Sequence, residues 1–108
     1  MMRRAALLAC VAMPLAVAAQ DKPKDKEMPV TELIDLVGCT LCHQVDNRIL
    51  GPSFKEVAVK YRNDKEALPR VAERIQKGSK GIWGEVAMPP NNVKPEEAKR
   101  IAEWVLAR

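Results

Sequence analysis

Gly38-Cys39-Thr40-Leu41-Cys42-His43 is the stretch on which the fold turns. Two cysteines separated by two residues suit a structural disulfide, a thioredoxin-like redox pair, half of a zinc site or a c-type haem attachment site. Thioredoxin chemistry belongs to a βαβ context, and no stretch of this chain alternates with period two for long enough to make a sheet. Zinc needs a fourth ligand, and beyond residue 19 the chain offers only these two cysteines and one histidine. A histidine directly after the second cysteine completes the CxxCH pattern. In that chemistry the two thiols add to the vinyl groups of a haem, and the tether holds the next imidazole beneath the iron at almost no further entropic cost. Cys39 and Cys42 are therefore expected to carry one covalent haem c, with His43 as an axial ligand.

Outward from this stretch the apolar pattern is helical. On its N-terminal side Thr31 can cap a helix whose Leu33, Ile34 and Val37 share one side, and Gly38 can end it just before Cys39. On its C-terminal side Pro52 marks a break and Ser53 can cap a second helix, in which Phe54, Val57, Ala58 and Tyr61 fall at i, i+3, i+4 and i+7. Leu68, Val71, Ala72 and Ile75 repeat the pattern in a third helix, with Gly78 after its end. From Pro95, a good first helical residue, Ala98, Ile101, Ala102 and Val105 form a last stripe, with Glu96 and Glu97 in the favourable first turn. The glycines of Gly78-Ser79-Lys80-Gly81-Ile82-Trp83-Gly84 follow no strand, so they support a phosphate loop only weakly.

The sixth iron position separates a closed electron-transfer site from a haem open to oxygen or peroxide. Past residue 19 only Met28 and Met88 could supply a thioether, and Met28 lies in a charged segment. Met88 opens Met88-Pro89-Pro90-Asn91 in a helix-free stretch, where two prolines stiffen the backbone that must hold a weak bond. It is the expected second axial ligand; the bland alternative is a methionine packed in the core.

The remaining sequence sets the boundaries. Residues 1–19 have a charged start at Arg3 and Arg4, an apolar run from Ala5 to Val17 and small residues at Ala16, Ala18 and Ala19, the three parts of a cleaved export signal. A retained membrane span needs about 20 apolar residues, and this run is shorter and interrupted by Pro14. Leu7-Leu8-Ala9-Cys10 resembles a lipid-attachment box, but too few apolar residues precede it. Residues 20–30 form a charged lead-in and 31–108 one small domain. Removing Arg3 and Arg4 takes the 18 basic residues to 16 against 14 acidic ones, a formal charge of +2, with lysines and acids alternating from Asp21 to Glu27. No basic block is left to track a phosphate backbone, so nucleic-acid binding is unsupported. Phe54, Tyr61, Trp83 and Trp104 are the only aromatics, thin material for a core that the haem is expected to complete.

Together Gly38 to His43, Gly51-Pro52-Ser53-Phe54, Arg74-Ile75-Gln76-Lys77-Gly78, Gly81-Ile82-Trp83-Gly84, Met88-Pro89-Pro90-Asn91 and Trp104-Val105-Leu106 resemble the small bacterial class I cytochromes c of the monohaem c-551 type, over about 33–108. The resemblance implies an all-α fold of four to five short helices wrapped around the haem, with the last helix packed across the first and Trp104 in the core. It implies that Met88 is the distal ligand and that the Pro52 carbonyl accepts from the far ring nitrogen of His43. It further implies that Arg74 and the Trp83 indole contact a haem propionate and that Asn91 hydrogen-bonds the Met88 sulfur. On the residues alone, Arg74 reads as a solvated helix residue, Trp83 as packing and Asn91 as a turn former.

The resemblance implies periplasmic one-electron transfer, without catalysis, by a monomer that shuttles between a membrane cytochrome complex and a terminal oxidase or periplasmic reductase. Lys55, Lys60, Lys77, Lys80 and Lys94 could steer docking or be ordinary solvated surface. A haem-based sensor with a displaceable Met88 and a haem subunit fixed in a larger complex stay open; a peroxidase is the weaker alternative.

Overall fold

The computed structural model describes residues 9–16 and 27–108. The expected export segment lies mostly outside the described residues, as does the lead-in up to residue 26. Among the described residues no helix is long and apolar enough to cross a membrane.

Among the described residues four α-helices follow one another: α1 (Val30–Val37), α2 (Phe54–Lys60), α3 (Ala67–Lys77) and α4 (Pro95–Leu106), with a single 3-10 turn at Cys39–Leu41. No strand occurs among the described residues, only isolated backbone pairs between His43 and Arg48 and between Ser79 and Met88. The fold is the expected all-α one.

α1 buries Leu33 and Ile34 and ends at Gly38, whose left-handed φ of 91° turns the chain directly into Cys39. Its start differs from expectation. Thr31 is not the cap but lies inside the first turn, because Pro29 takes the cap position and presents its carbonyl to the Leu33 N–H at 3.0 Å. Arg100 of α4 holds this entry, donating to the Met28 carbonyl at 2.5 Å and pairing with Glu27 at 3.3 Å.

α2 begins with the capping box that Ser53 and Glu56 make: the Ser53 hydroxyl accepts from the Glu56 N–H at 3.1 Å, and the Glu56 carboxylate accepts from the Ser53 N–H at 2.7 Å. Ser53 is almost fully buried, which makes that reciprocity necessary. The helix stops at Lys60, one residue short of Tyr61, which forms its C-cap. α3 accepts Pro69 in its first turn, where the missing N–H has no helical partner to lose.

α4 is the hub, packing against α1, α2 and, most extensively, α3. Its stripe of Ala98, Ile101, Ala102 and Val105 is buried. The small alanines let the neighbouring helices approach, and Ile101, 1% exposed, fills the space between them. Trp104 is half-buried rather than central. It sits beside the stripe, meeting Phe54 edge-on with ring centroids 5.2 Å apart, while the Arg108 guanidinium covers its outer side 4.2 Å from the ring centre.

Candidate functional site

Helices α2, α3 and α4 open onto one cavity of about 480 Å³. Phe54 and Val57 of α2, Val71 and Ile75 of α3, and Ile101 and Val105 of α4 form its apolar wall. An apolar void of this size in the middle of a domain this small forfeits packing on all three helices unless something fills it.

One side of the cavity is built by the segment from Gly38 to Phe54. Cys39, on the 3-10 turn, and Cys42, which caps it, both line the cavity, and neither is in a disulfide. Burial pushes the Cys39 thiol above its ordinary value; its backbone N–H pulls the other way, and the charges of Asp35 and Cys42 add to the rise. A thiol held protonated in this way is the opposite of the activated thiolate of a redox pair. Among the described residues no three His, Cys, Asp or Glu side chains converge to hold a bare metal ion.

His43 faces the same cavity, and its Nδ1 lies 2.6 Å from the Pro52 carbonyl. A carbonyl can only accept, so Nδ1 carries the proton and Nε2 of the neutral ring keeps a free lone pair. Phe54 stacks beside the imidazole, centroids 5.5 Å apart and planes 26° apart. Gly51 makes the arrangement possible: a Cβ there would stand 2.5 Å from His43 Cε1.

The opposite side is a helix-free segment between α3 and α4. Met88 lines the cavity from it, held by two backbone hydrogen bonds with Ser79 of 2.8 and 3.0 Å. Gly78 lets the segment fold back against itself, since a Cβ there would lie 2.5 Å from the Met88 carbonyl oxygen. Pro89 and Pro90 follow, and the Asn91 N–H then donates to the Ile75 carbonyl at 3.2 Å.

The other expected contacts gather at this cavity with different partners. Arg74 lines it and donates to the Tyr61 hydroxyl. Trp83 lines it, half-buried. Asn91 lines it too, but its Nδ2 donates to the Ile75 carbonyl at 2.8 Å and reaches the Pro89 carbonyl at 3.5 Å, rather than the Met88 sulfur. The end of α3 leaves that carbonyl without a helical N–H, and the amide satisfies it. Sequence reasoning missed Arg48, which lines the cavity with its guanidinium carbon 5.8 Å from the Trp83 ring centre. It also missed Tyr61 as the partner of Arg74. Both act across the fold, and no local spacing announces them.

Two unpaired thiols, one imidazole with its Nε2 lone pair free, one thioether and an apolar wall fit a covalently bound haem c: thiols for the vinyl groups, soft and nitrogen ligands for iron. The glycines at 51 and 78 clear the space in which the imidazole and the Met88 backbone sit.

Comparison with known proteins leads to the same chemistry. The cytochrome c family model matches residues 30–108. Cytochrome c-551 of Azotobacter vinelandii is 48% identical over 75 residues, covering 69% of this chain and 92% of that protein. Cytochrome c-551 of Pseudomonas aeruginosa is 37% identical over 107 residues, 99% of each chain. Among solved structures, wild-type cytochrome c552 of Nitrosomonas europaea superimposes with a TM-score of 0.70 at 40% identity, covering 71% of this chain and 96% of that one. The chain belongs to the cytochrome c family, as a small monohaem class I electron carrier of the c-551 and c-552 kind with one covalent haem c.

Proposed function

We propose that the protein is a periplasmic one-electron carrier whose haem is attached through Cys39 and Cys42 and whose iron is held between His43 and Met88. The observation that carries this is the convergence of His43 and Met88, from segments on either side of α2 and α3, onto one apolar cavity that the two thiols also line. When bound, the haem supplies a ferric/ferrous couple, and a thioether ligand raises its potential.

The chain's own residues do the rest. The Pro52 carbonyl fixes the tautomer and plane of His43, so that Nε2 faces the cavity. The backbone pair with Ser79 and the two prolines hold the Met88 thioether in place through a change of oxidation state, which keeps reorganisation small. Phe54, Val57, Val71 and Ile75 exclude water, and Arg74 and Trp83 place hydrogen-bond donors at the cavity for the propionates.

Residues 1–19 act as a cleaved export signal and 20–30 as a lead-in, leaving a monomer. It docks transiently, through a small interface, with a membrane cytochrome complex on one side and a terminal oxidase or periplasmic reductase on the other. Charge steering is modest: Lys55 pairs with Asp46 and Lys77 with Glu73, and Lys60 lies over the Trp83 ring. Of the five lysines considered for docking, Lys80 and Lys94 are exposed and carry none of these contacts.

The test is the spectrum of the oxidised holoprotein. A far-red charge-transfer band from sulfur on ferric iron, present in the wild type and lost in Met88→Ala, is the expected result. No such band in the wild type overturns the ligand assignment, and prompt carbon monoxide binding to the reduced protein at neutral pH would point to a sensor instead.

A further inference from the structure

The segment that carries Met88 is fastened well at its base and poorly at its tip. At the base stand the Ser79–Met88 backbone pair and the bonds from Asn91 to the Ile75 carbonyl. At the tip, a Cβ on Gly81 or Gly84 would meet nothing within 4 Å, and Glu85, Val86 and Ala87 are exposed. Trp83 is the large side chain of this tip, and two cations approach its ring: the Arg48 guanidinium at 5.8 Å and the Lys60 ammonium at 4.9 Å.

Arg48 does not reach Trp83 as a free surface cation. Its Nε and Nη2 both donate to Oε1 of Glu56, at 3.3 and 3.2 Å. The other oxygen of that carboxylate accepts from the Ser53 N–H at 2.7 Å, the N–H of the same peptide whose carbonyl accepts from His43 Nδ1. The backbone of Arg48 also pairs with that of His43. One carboxylate thus stands between the segment that seats His43 and the cation that meets the Met88 segment.

We propose that Arg48, held by Glu56, is a positioning residue that latches the Trp83 tip and thereby ties the Met88 segment to the segment seating His43. The proposal rests on the His43/Met88 assignment only for its consequence at the iron. An exposed ion pair alone contributes little. Its effect here comes from pre-placing a cation against an aromatic face, so the cost of ordering the arginine is met in α2 before the tip closes.

Amide hydrogen exchange on the oxidised holoprotein tests the latch. Arg48→Ala should speed exchange at the Ser79 and Met88 amides about three- to tenfold and leave Ile101 and Ala102 in α4 unchanged. Glu56→Gln keeps both capping-box bonds while losing the charged partner of Arg48, and should give a smaller effect of the same pattern. Arg48→Lys should restore most of the protection. Unchanged exchange at Ser79 and Met88, or equal acceleration in α4, overturns the latch. The far-red band in the same samples separates the two ideas: its absence from the wild type removes Met88 as ligand, while the exchange pattern still decides whether Arg48 holds the tip.

Discussion

The two walls of the cavity are built by opposite means. The His43 wall is compact in sequence: from Gly38 to Glu56 a left-handed glycine, a 3-10 turn, a carbonyl acceptor and a capping box follow one another, each fixing the next. The Met88 wall is a long excursion between α3 and α4, fixed at a few points by partners far away in sequence. Local bonds order a wall whatever the rest of the chain does; distant bonds exist only when the helices are already packed. The first wall should therefore be robust and the second the place where the site opens.

The largest effect comes from removing what both walls share. A Cys39→Ala/Cys42→Ala double variant, which cannot attach the haem, leaves α2, α3 and α4 around a void of about 480 Å³. Most of the helical circular dichroism signal should be lost, because the remaining core is too small to offset chain entropy. Native-like helix content would show that the helices need no haem and that both walls are preformed.

Next come the two glycines, one in each wall. Gly78→Ala faces a double obstacle, a φ of 78° and backbone atoms of Met88 and Pro90 at 2.5 and 2.9 Å, and backbone cannot step aside. A cost of about 3 kcal/mol is expected in denaturant unfolding of the holoprotein, with early loss of the far-red band. Gly51→Ala meets a side chain instead, the His43 ring at 2.5 Å. It should cost about 1–2 kcal/mol while the ring tilts, with the band retained longer. The reverse order would mean that the His43 wall is the brittle one.

Smaller still is the loss of one polar tie from each wall. Ser53→Ala removes the cap of α2, and Asn91→Ala removes the side-chain bond to the Ile75 carbonyl, leaving it only the Asn91 backbone N–H; each should cost about 1 kcal/mol. They part company in the spectrum. Asn91→Ala should lose the far-red band at a lower denaturant concentration than its helix signal, whereas in Ser53→Ala the two should fall together. Coincident loss in both would put the two walls in a single cooperative unit.

The same contrast decides what the sequence made legible. The His43 wall is readable because its causes are local: a CxxCH spacing, a glycine after an apolar stripe, and Ser53 at the head of the next stripe. All four helices are readable for the same reason, through their apolar period. The sequence is silent where a long-range contact takes over a local role. Thr31 loses the cap of α1 to a proline whose entry is held by Arg100, 71 residues after Pro29. Asn91 turns to Ile75, a carbonyl that only the packed end of α3 brings near. No spacing gives the partners of Arg48 and Tyr61, since Trp83 and Arg74 arrive through the tertiary fold.

The smallest expected effect is a pH dependence, and it starts from the His43 wall. Glu56 is held below the ordinary glutamate value, first by the Ser53 N–H and then by Arg48. A carboxylate with a depressed value in the folded state stabilises that state fully above its unfolded value, about 4.3, and less as pH falls through the folded value. The gap in denaturant midpoint between wild type and Glu56→Gln should thus be constant near neutrality and close below about pH 4. Glu73, lowered by Lys77 on α3, follows the same sign without touching either wall, so Glu73→Gln serves as the control. If the far-red band in wild type weakens with the closing of the Glu56 gap but not of the Glu73 gap, protonation at α2 is felt at Met88. A gap that persists or widens in acid would mean that the carboxylate's charge contributes nothing and that the capping bonds alone order the wall.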